Sequence, residues 1–205
     1  MRTTVATLTA ALAAAGLASA QAPQQRVPRE SVSANVGGKK VEISYGRPAL
    51  KGRTLADLTK QLPEDKIWRA GENEVTTLKS EGDLMIGSKR VPAGSYSVYV
   101  HIPEKGDWAL VLNTDPGIEV GKLLQILRPG SAPLPPERAS RLWPRLDGYT
   151  KNVADKEVVR ASMKPGTVSA PADAFTIALV EGKAAATLIM SWADKSYSID
   201  LKPAK

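Results

Sequence analysis

Cysteine is absent from all 205 residues, and histidine occurs once. Without cysteine there is no disulfide framework, thiol nucleophile, zinc–cysteine site or iron–sulfur cluster. With one histidine, a metal site would have to draw its other ligands from carboxylates. No metal site is expected, and no cofactor is implied. Aromatic residues make up only 5% of the chain. The net charge is +7, but the cations do not run together. Lys39-Lys40, Lys51–Arg53, Lys89-Arg90 and Arg138–Arg145 are separated by acids. Nucleic-acid binding needs a basic stripe interleaved with stacking aromatics, so nucleic acid is not an expected partner. Walker, dinucleotide and Gly-x-Ser-x-Gly patterns are missing too.

The one long apolar run is at the N-terminus. Met1-Arg2-Thr3-Thr4 precedes an Ala/Leu-rich stretch from Val5 to Leu17, then Ala18-Ser19-Ala20. A cationic start, an apolar middle and a small-x-small end are the pattern of a secretory signal peptide. The run is too short to cross about 30 Å of hydrocarbon comfortably. Residues 1–20 are therefore expected to be a signal peptide cleaved after Ala20. The Pro/Gln-rich stretch that follows suits a flexible mature N-terminus over residues 21–30, and residues 31–203 suit a single domain. No cysteine follows the cleavage site, so a lipid anchor there is excluded. No later segment reaches a transmembrane length, and no transmembrane anchor is expected. The mature chain is expected to be periplasmic or secreted.

Short alternating runs dominate that domain. Ser31–Val36 and Lys40–Tyr45 flank Gly37-Gly38, a hairpin signal. Val75–Lys79, Leu84–Ile86, Ser95–Ile102 and Trp108–Asn113 follow. Ala174–Val180, Ala185–Trp192 and Tyr197–Leu201 form a closing meander. Thr54–Leu62 spaces its leucines as one face of a short helix, with Thr54 as N-cap. Ile118 to Lys151 predicts a helical turn, an irregular crossing loop and another short helix. The fold class expected is all-β, mostly antiparallel, sandwich or barrel-like, with one or two short helices.

Two loops concentrate the polar chemistry. Tyr45–Arg53 places Arg47, Lys51 and Arg53 in a Gly/Pro-constrained segment after a strand. Ile67–Glu74 gathers Trp68, Arg69, Glu72, Asn73 and Glu74 before the next. Opposite charges suggest that Arg47, Lys51 or Arg53 pairs with Glu72 or Glu74. His101 shares a strand face with Ser95, Ser97 and Tyr99, opposite the apolar face. Arg47, Lys51, Arg53, Trp68, Arg69, Glu72, Asn73, Glu74, Tyr99 and His101 are the candidate ligand-binding residues.

At these residues the chain resembles a family. Tyr45–Arg53, Trp68–Glu74, Val91–Tyr96, Ile102-Pro103 and Trp108–Asn113 are similar, in order, to motifs of the exported bacterial family DUF2911. Val159–Met163, Trp192 and the last strand look similar as well, so the resemblance runs from about Val27 to Leu201. Glu72 stands where the family usually has alanine, and Thr114 to Gly148 departs from its pattern. The resemblance implies fold and export. The family has no established activity, so no mechanism comes with it. Arg47, Lys51, Gly52, Arg53, Trp68, Arg69, Asn73 and Glu74 match its motif positions.

Three functions remain open. The first is a non-enzymatic binding or envelope-associated module, with a pocket for a small polar or anionic ligand or an envelope component. The second is a hydrolase of an envelope or extracellular substrate, with His101 or Glu74 as general base. The third is a purely structural ion network, with partner binding elsewhere. Nothing in the pattern sets an oligomeric state.

Overall fold

The computed structural model describes residues 29–145 and 148–204. The expected signal peptide lies outside the described residues, as does most of the stretch expected to be flexible. Arg29 and Glu30, its last two residues, already belong to the first strand.

β1 (Arg29–Val36) and β2 (Lys39–Gly46) form the predicted hairpin, paired Val36 to Lys39. Gly37 and Gly38 both have positive φ, 58° and 77°, as a two-residue turn of this hand requires. α1 (Leu55–Thr59) is a single capped turn. Asp57 N–H donates to Thr54 Oγ1, and the Asp57 carboxylate accepts from the Thr54 N–H, which closes a capping box. β3 (Ile67–Trp68), β4 (Thr77–Ser80), β5 (Leu84–Ile86), β6 (Lys89–Val91), β7 (Gly94–His101) and β8 (Ala109–Asn113) follow.

Next comes a lobe made of β9 (Ile118–Glu119), α2 (Val120–Leu127), α3 (Pro136–Ala139) and β10 (Leu142–Trp143). α4 (Tyr149–Asn152) and a single 3-10 turn lead into β11 (Glu157–Ser162) and β12 (Lys164–Gly166). β13 (Ala172–Glu181), β14 (Ala186–Ala193) and β15 (Lys195–Pro203) close the chain as the predicted meander.

Apart from the small β9–β10 pair, the strands make two antiparallel sheets face to face. One runs β1-β2-β4-β7-β8-β11, with β3 on β7; the other runs β13-β14-β15-β5-β6, with β12 on β15. Alternation along each strand decides which side chains fill the space between. Val41, Ile43 and Tyr45 point inward from β2, and Val98 and Val100 from β7. Phe175 and Ile177 meet them from β13, and Leu188, Met190 and Trp192 from β14. This is the expected all-β sandwich with short helices.

The outer face of the first sheet departs from expectation. The sequence predicts a polar face there, carrying Ser97, Tyr99 and His101. Instead Ile67, Tyr99, Val111, Tyr149 and Val153 make a second, smaller core. Tyr149 sits edge-on to Tyr99, ring centroids 4.8 Å apart. α4 and the turn after it cover the outward apolar side chains of β3, β7 and β8, which would otherwise face water.

Candidate functional site

The two charged loops do come together, but through backbone. A Cβ on Gly46 would lie 2.0 Å from the Glu72 carbonyl oxygen, and one on Gly71 would lie 2.5 Å from Thr76 Oγ1. Only glycine allows this approach. Glu72 N–H donates to Gly46 O at 3.3 Å, and Thr76 Oγ1 donates to Ala70 O at 2.9 Å. Ala70 and Asn73 hold positive φ, 49° and 65°, to turn the chain at this point.

The predicted ion pairs between the loops are not formed. Arg47 Nη1 pairs with Glu30 at 2.9 Å, and its Nε donates to Phe175 O at 3.2 Å. Tyr45 Oη donates to the same Glu30 at 3.0 Å and accepts from Ile177 N–H at 3.0 Å. Arg47 thus bridges the two sheets. Glu74 pairs with Arg29 at 3.8 Å and Arg141 at 3.2 Å. Arg53 folds back on its own loop, with Nε donating to Leu50 O at 2.9 Å. Lys51 is exposed in the turn. Arg47, Arg53 and Glu74 each have another partner: Arg47 meets Glu30, Arg53 meets its own loop, and Glu74 meets Arg29 and Arg141.

Trp68 and His101 lie on opposite faces of the first sheet. Trp68 pairs with Val100 and faces inward, stacking on Trp192 at 5.1 Å and meeting Phe175 edge-on at 4.7 Å. His101 pairs with Ile67 and faces outward. Burial, and then the nearby Arg160 guanidinium, hold the imidazole below its ordinary 6.5, against Asp65 and Glu157.

Three of the ten candidates share one pocket. Trp68, Arg69 and Tyr99 line a cavity of about 200 Å³, with Leu62, Pro63, Ile67, Pro144, Arg145, Gly148, Tyr149 and Val153. The Arg69 guanidinium lies 5.8 Å from the centre of the Trp143 ring. Burial lowers its pKa, partly opposed by Glu72. Among the described residues no carboxylate comes within ion-pair distance of it. Arg145 is engaged at 3.5 Å by Asp115, a buried carboxylate that also holds Lys156 at 2.9 Å. Burial alone would raise the Asp115 carboxyl; Lys156, the Gly117 N–H and Arg145 outweigh it and hold it down. Burial, with Asp115 adding to it, pushes the Tyr99 phenol up to about 12, so it stays a donor at neutral pH. Among the described residues nothing hydrogen-bonds the Tyr99 hydroxyl. Tyr149 Oη is occupied, accepting from Asn113 at 3.0 Å and donating to Glu157 at 3.1 Å.

Arg53 lines a different groove of about 590 Å³, with Leu50, Leu55, Ile102, Trp108 and Lys195. Arg47, Lys51, Glu72, Asn73, Glu74 and His101 line neither cavity. Arg145, Tyr149 and Val153 were not foreseen as site residues. Their only signal is an isolated aromatic, Tyr149, in a polar stretch.

The sequence model of the family described as "Protein of unknown function (DUF2911)" matches residues 27–122. Over that segment the chain is similar to the DUF2911 family. No curated protein and no solved structure matches the chain. The match is shorter than the motif resemblance, which runs to Leu201. The DUF2911 segment contributes Trp68, Arg69 and Tyr99 to the pocket, and the residues after it contribute Arg145, Tyr149 and Val153.

Proposed function

We propose that the protein is an exported, non-enzymatic binding module, and that its pocket takes a small carboxylate with an apolar body. One observation carries the reading: Arg69, half-buried on the pocket wall, has no carboxylate partner among the described residues. A half-buried cation that no carboxylate contacts has lost part of its hydration, and a bound anion would offset that loss. The Tyr99 hydroxyl adds a second donor, and Leu62, Pro63, Ile67 and Val153 supply an apolar wall. Small-molecule sites typically combine an apolar lining with a few converging donors. The N-terminal pattern of residues 1–20 supports export.

The hydrolase reading draws no support from the geometry. Glu74 is held between two arginines, and His101 is outside the pocket. Arg47 and Glu74 fit the structural-network reading at their own positions.

Thermal-shift and calorimetric titration with short aliphatic and aromatic carboxylates, each beside its amide, tests the pocket. Carboxylates should raise the melting temperature and the amides should not. Arg69→Gln should weaken carboxylate binding about tenfold or more. Equal binding by Arg69→Gln, or no carboxylate binding at all, overturns the reading.

A further inference from the structure

We infer that the lobe carrying α2 and α3 is a docking surface for an anionic lipid bilayer. The inference stands apart from the carboxylate pocket, with which the lobe's exposed residues share no side chain.

α2 reads Val120-Gly121-Lys122-Leu123-Leu124-Gln125-Ile126-Leu127, and five of its residues are large and apolar. Neither α2 nor α3 buries a single residue. α2 packs against α3, where a Cβ on Gly121 would lie 3.0 Å from Ala139 Cβ, and against β9. Its other faces are left to solvent. Ile126 is 66% exposed and Leu127 62%, adjacent in the chain; the next such side chain, Val180 at 52%, is in β13. Leu123 lies one turn before both, so the three share a face. An apolar patch on a two-helix projection is a contact surface rather than scattered exposure.

Charge decides what meets it. From Ile118 to Trp143 there are four cations, Lys122, Arg128, Arg138 and Arg141, against two carboxylates, Glu119 and Glu137; Lys122 pairs with Glu119 at 3.0 Å and Arg141 with Glu74, which leaves Arg128 and Arg138 against Glu137. Lys122 and Arg128 flank Ile126 and Leu127 in sequence, and Arg138 is exposed on α3. A second copy of the chain, docked by the same face, would set this excess of cations against itself. An anionic headgroup layer complements it, and the acyl boundary beneath takes the aliphatic side chains. Among the described residues no helix is long and apolar enough to cross a membrane, so the contact proposed is interfacial.

Vesicle co-sedimentation tests this with protein recovered from expressing cells, the N-terminus of every sample fixed by mass spectrometry. The protein should bind phosphatidylcholine vesicles containing phosphatidylglycerol and bind pure phosphatidylcholine weakly. Ile126→Asp with Leu127→Asp should cut binding about tenfold or more. Lys122→Glu with Arg128→Glu should cut binding to the anionic vesicles only, as added salt should. These side chains make no core contacts, so the melting temperature should hold in all variants and separate docking from folding. Undiminished binding by the Ile126/Leu127 variant overturns the inference. So does a concentration-dependent dimer that the variant abolishes in a protein that ignores vesicles.

Discussion

Arg141 Nη1 lies 3.2 Å from Glu74 Oε1, and this contact ties the α2–α3 lobe to the loop ahead of β4. Arg29 approaches the same carboxylate and also donates to Ser44 O and Val75 O, at 2.9 and 3.0 Å. One acid therefore gathers an edge strand, a loop and a lobe. Glu74→Gln keeps the shape and removes the charge from both arginines. It should lower stability by about 1–2 kcal/mol in urea denaturation, since the pairs are only partly screened by water. Carboxylate binding should be unchanged, because Glu74 does not line the pocket. Lost binding without lost stability would place Glu74 in the binding chemistry instead.

Gly46 is the point where the two charged loops meet. An added methyl would sit 2.0 Å from a backbone carbonyl, which cannot swing aside as a side chain can. Gly46→Ala should destabilise the fold by about 2–3 kcal/mol or more, read from the denaturation midpoint at constant slope. Gly52→Ala is the control for a simple loss of glycine, because nothing lies within 4 Å of a Cβ there. It should cost less, through its positive φ alone. Equal losses would show that the Gly46 contact contributes nothing.

His101 should give the fold a pH dependence. Its native pKa lies below the ordinary 6.5, so the unfolded chain takes up the proton first. The stability carried by the neutral imidazole is complete above about pH 6.5 and falls as pH drops through the lowered native value. His101→Gln should flatten the slope of unfolding free energy between about pH 5 and pH 7. An unchanged slope would assign it to carboxylates such as Asp115.

The fold was largely legible because strand alternation and turn chemistry are local. The Gly37-Gly38 hairpin, the Thr54 cap and the closing meander all stand where their residues predict. β3 was not legible, being two residues long, nor was β6, where Lys89 and Arg90 leave Val91 as the only apolar residue. β11 was missed because Val158 and Val159 stand side by side at the register shift between Glu157 and Val159, which breaks its alternation. The site was less readable, for a physical reason. Neighbouring positions on a strand point to opposite faces, so proximity in sequence does not give proximity in space. Trp68 turns into the core and its neighbour Arg69 lines the pocket, while Glu74, five residues on, answers to Arg141. Tyr99 was placed with His101 on a polar face, and only the distant α4 turns its side into a wall.

The two sheets also set an order of events. Facing the DUF2911 segment across the core are Phe175, Ile177, Leu188, Met190, Trp192 and Leu201. A chain that emerges N-terminus first therefore carries β2, β4, β7 and β8 with their apolar faces bare until β13–β15 have appeared. Pairings this distant in sequence form slowly, and uncovered strands invite aggregation in the interval. If export precedes folding, that interval falls outside the cytoplasm, and the meander β13–β15 works as the latch whose arrival ends it.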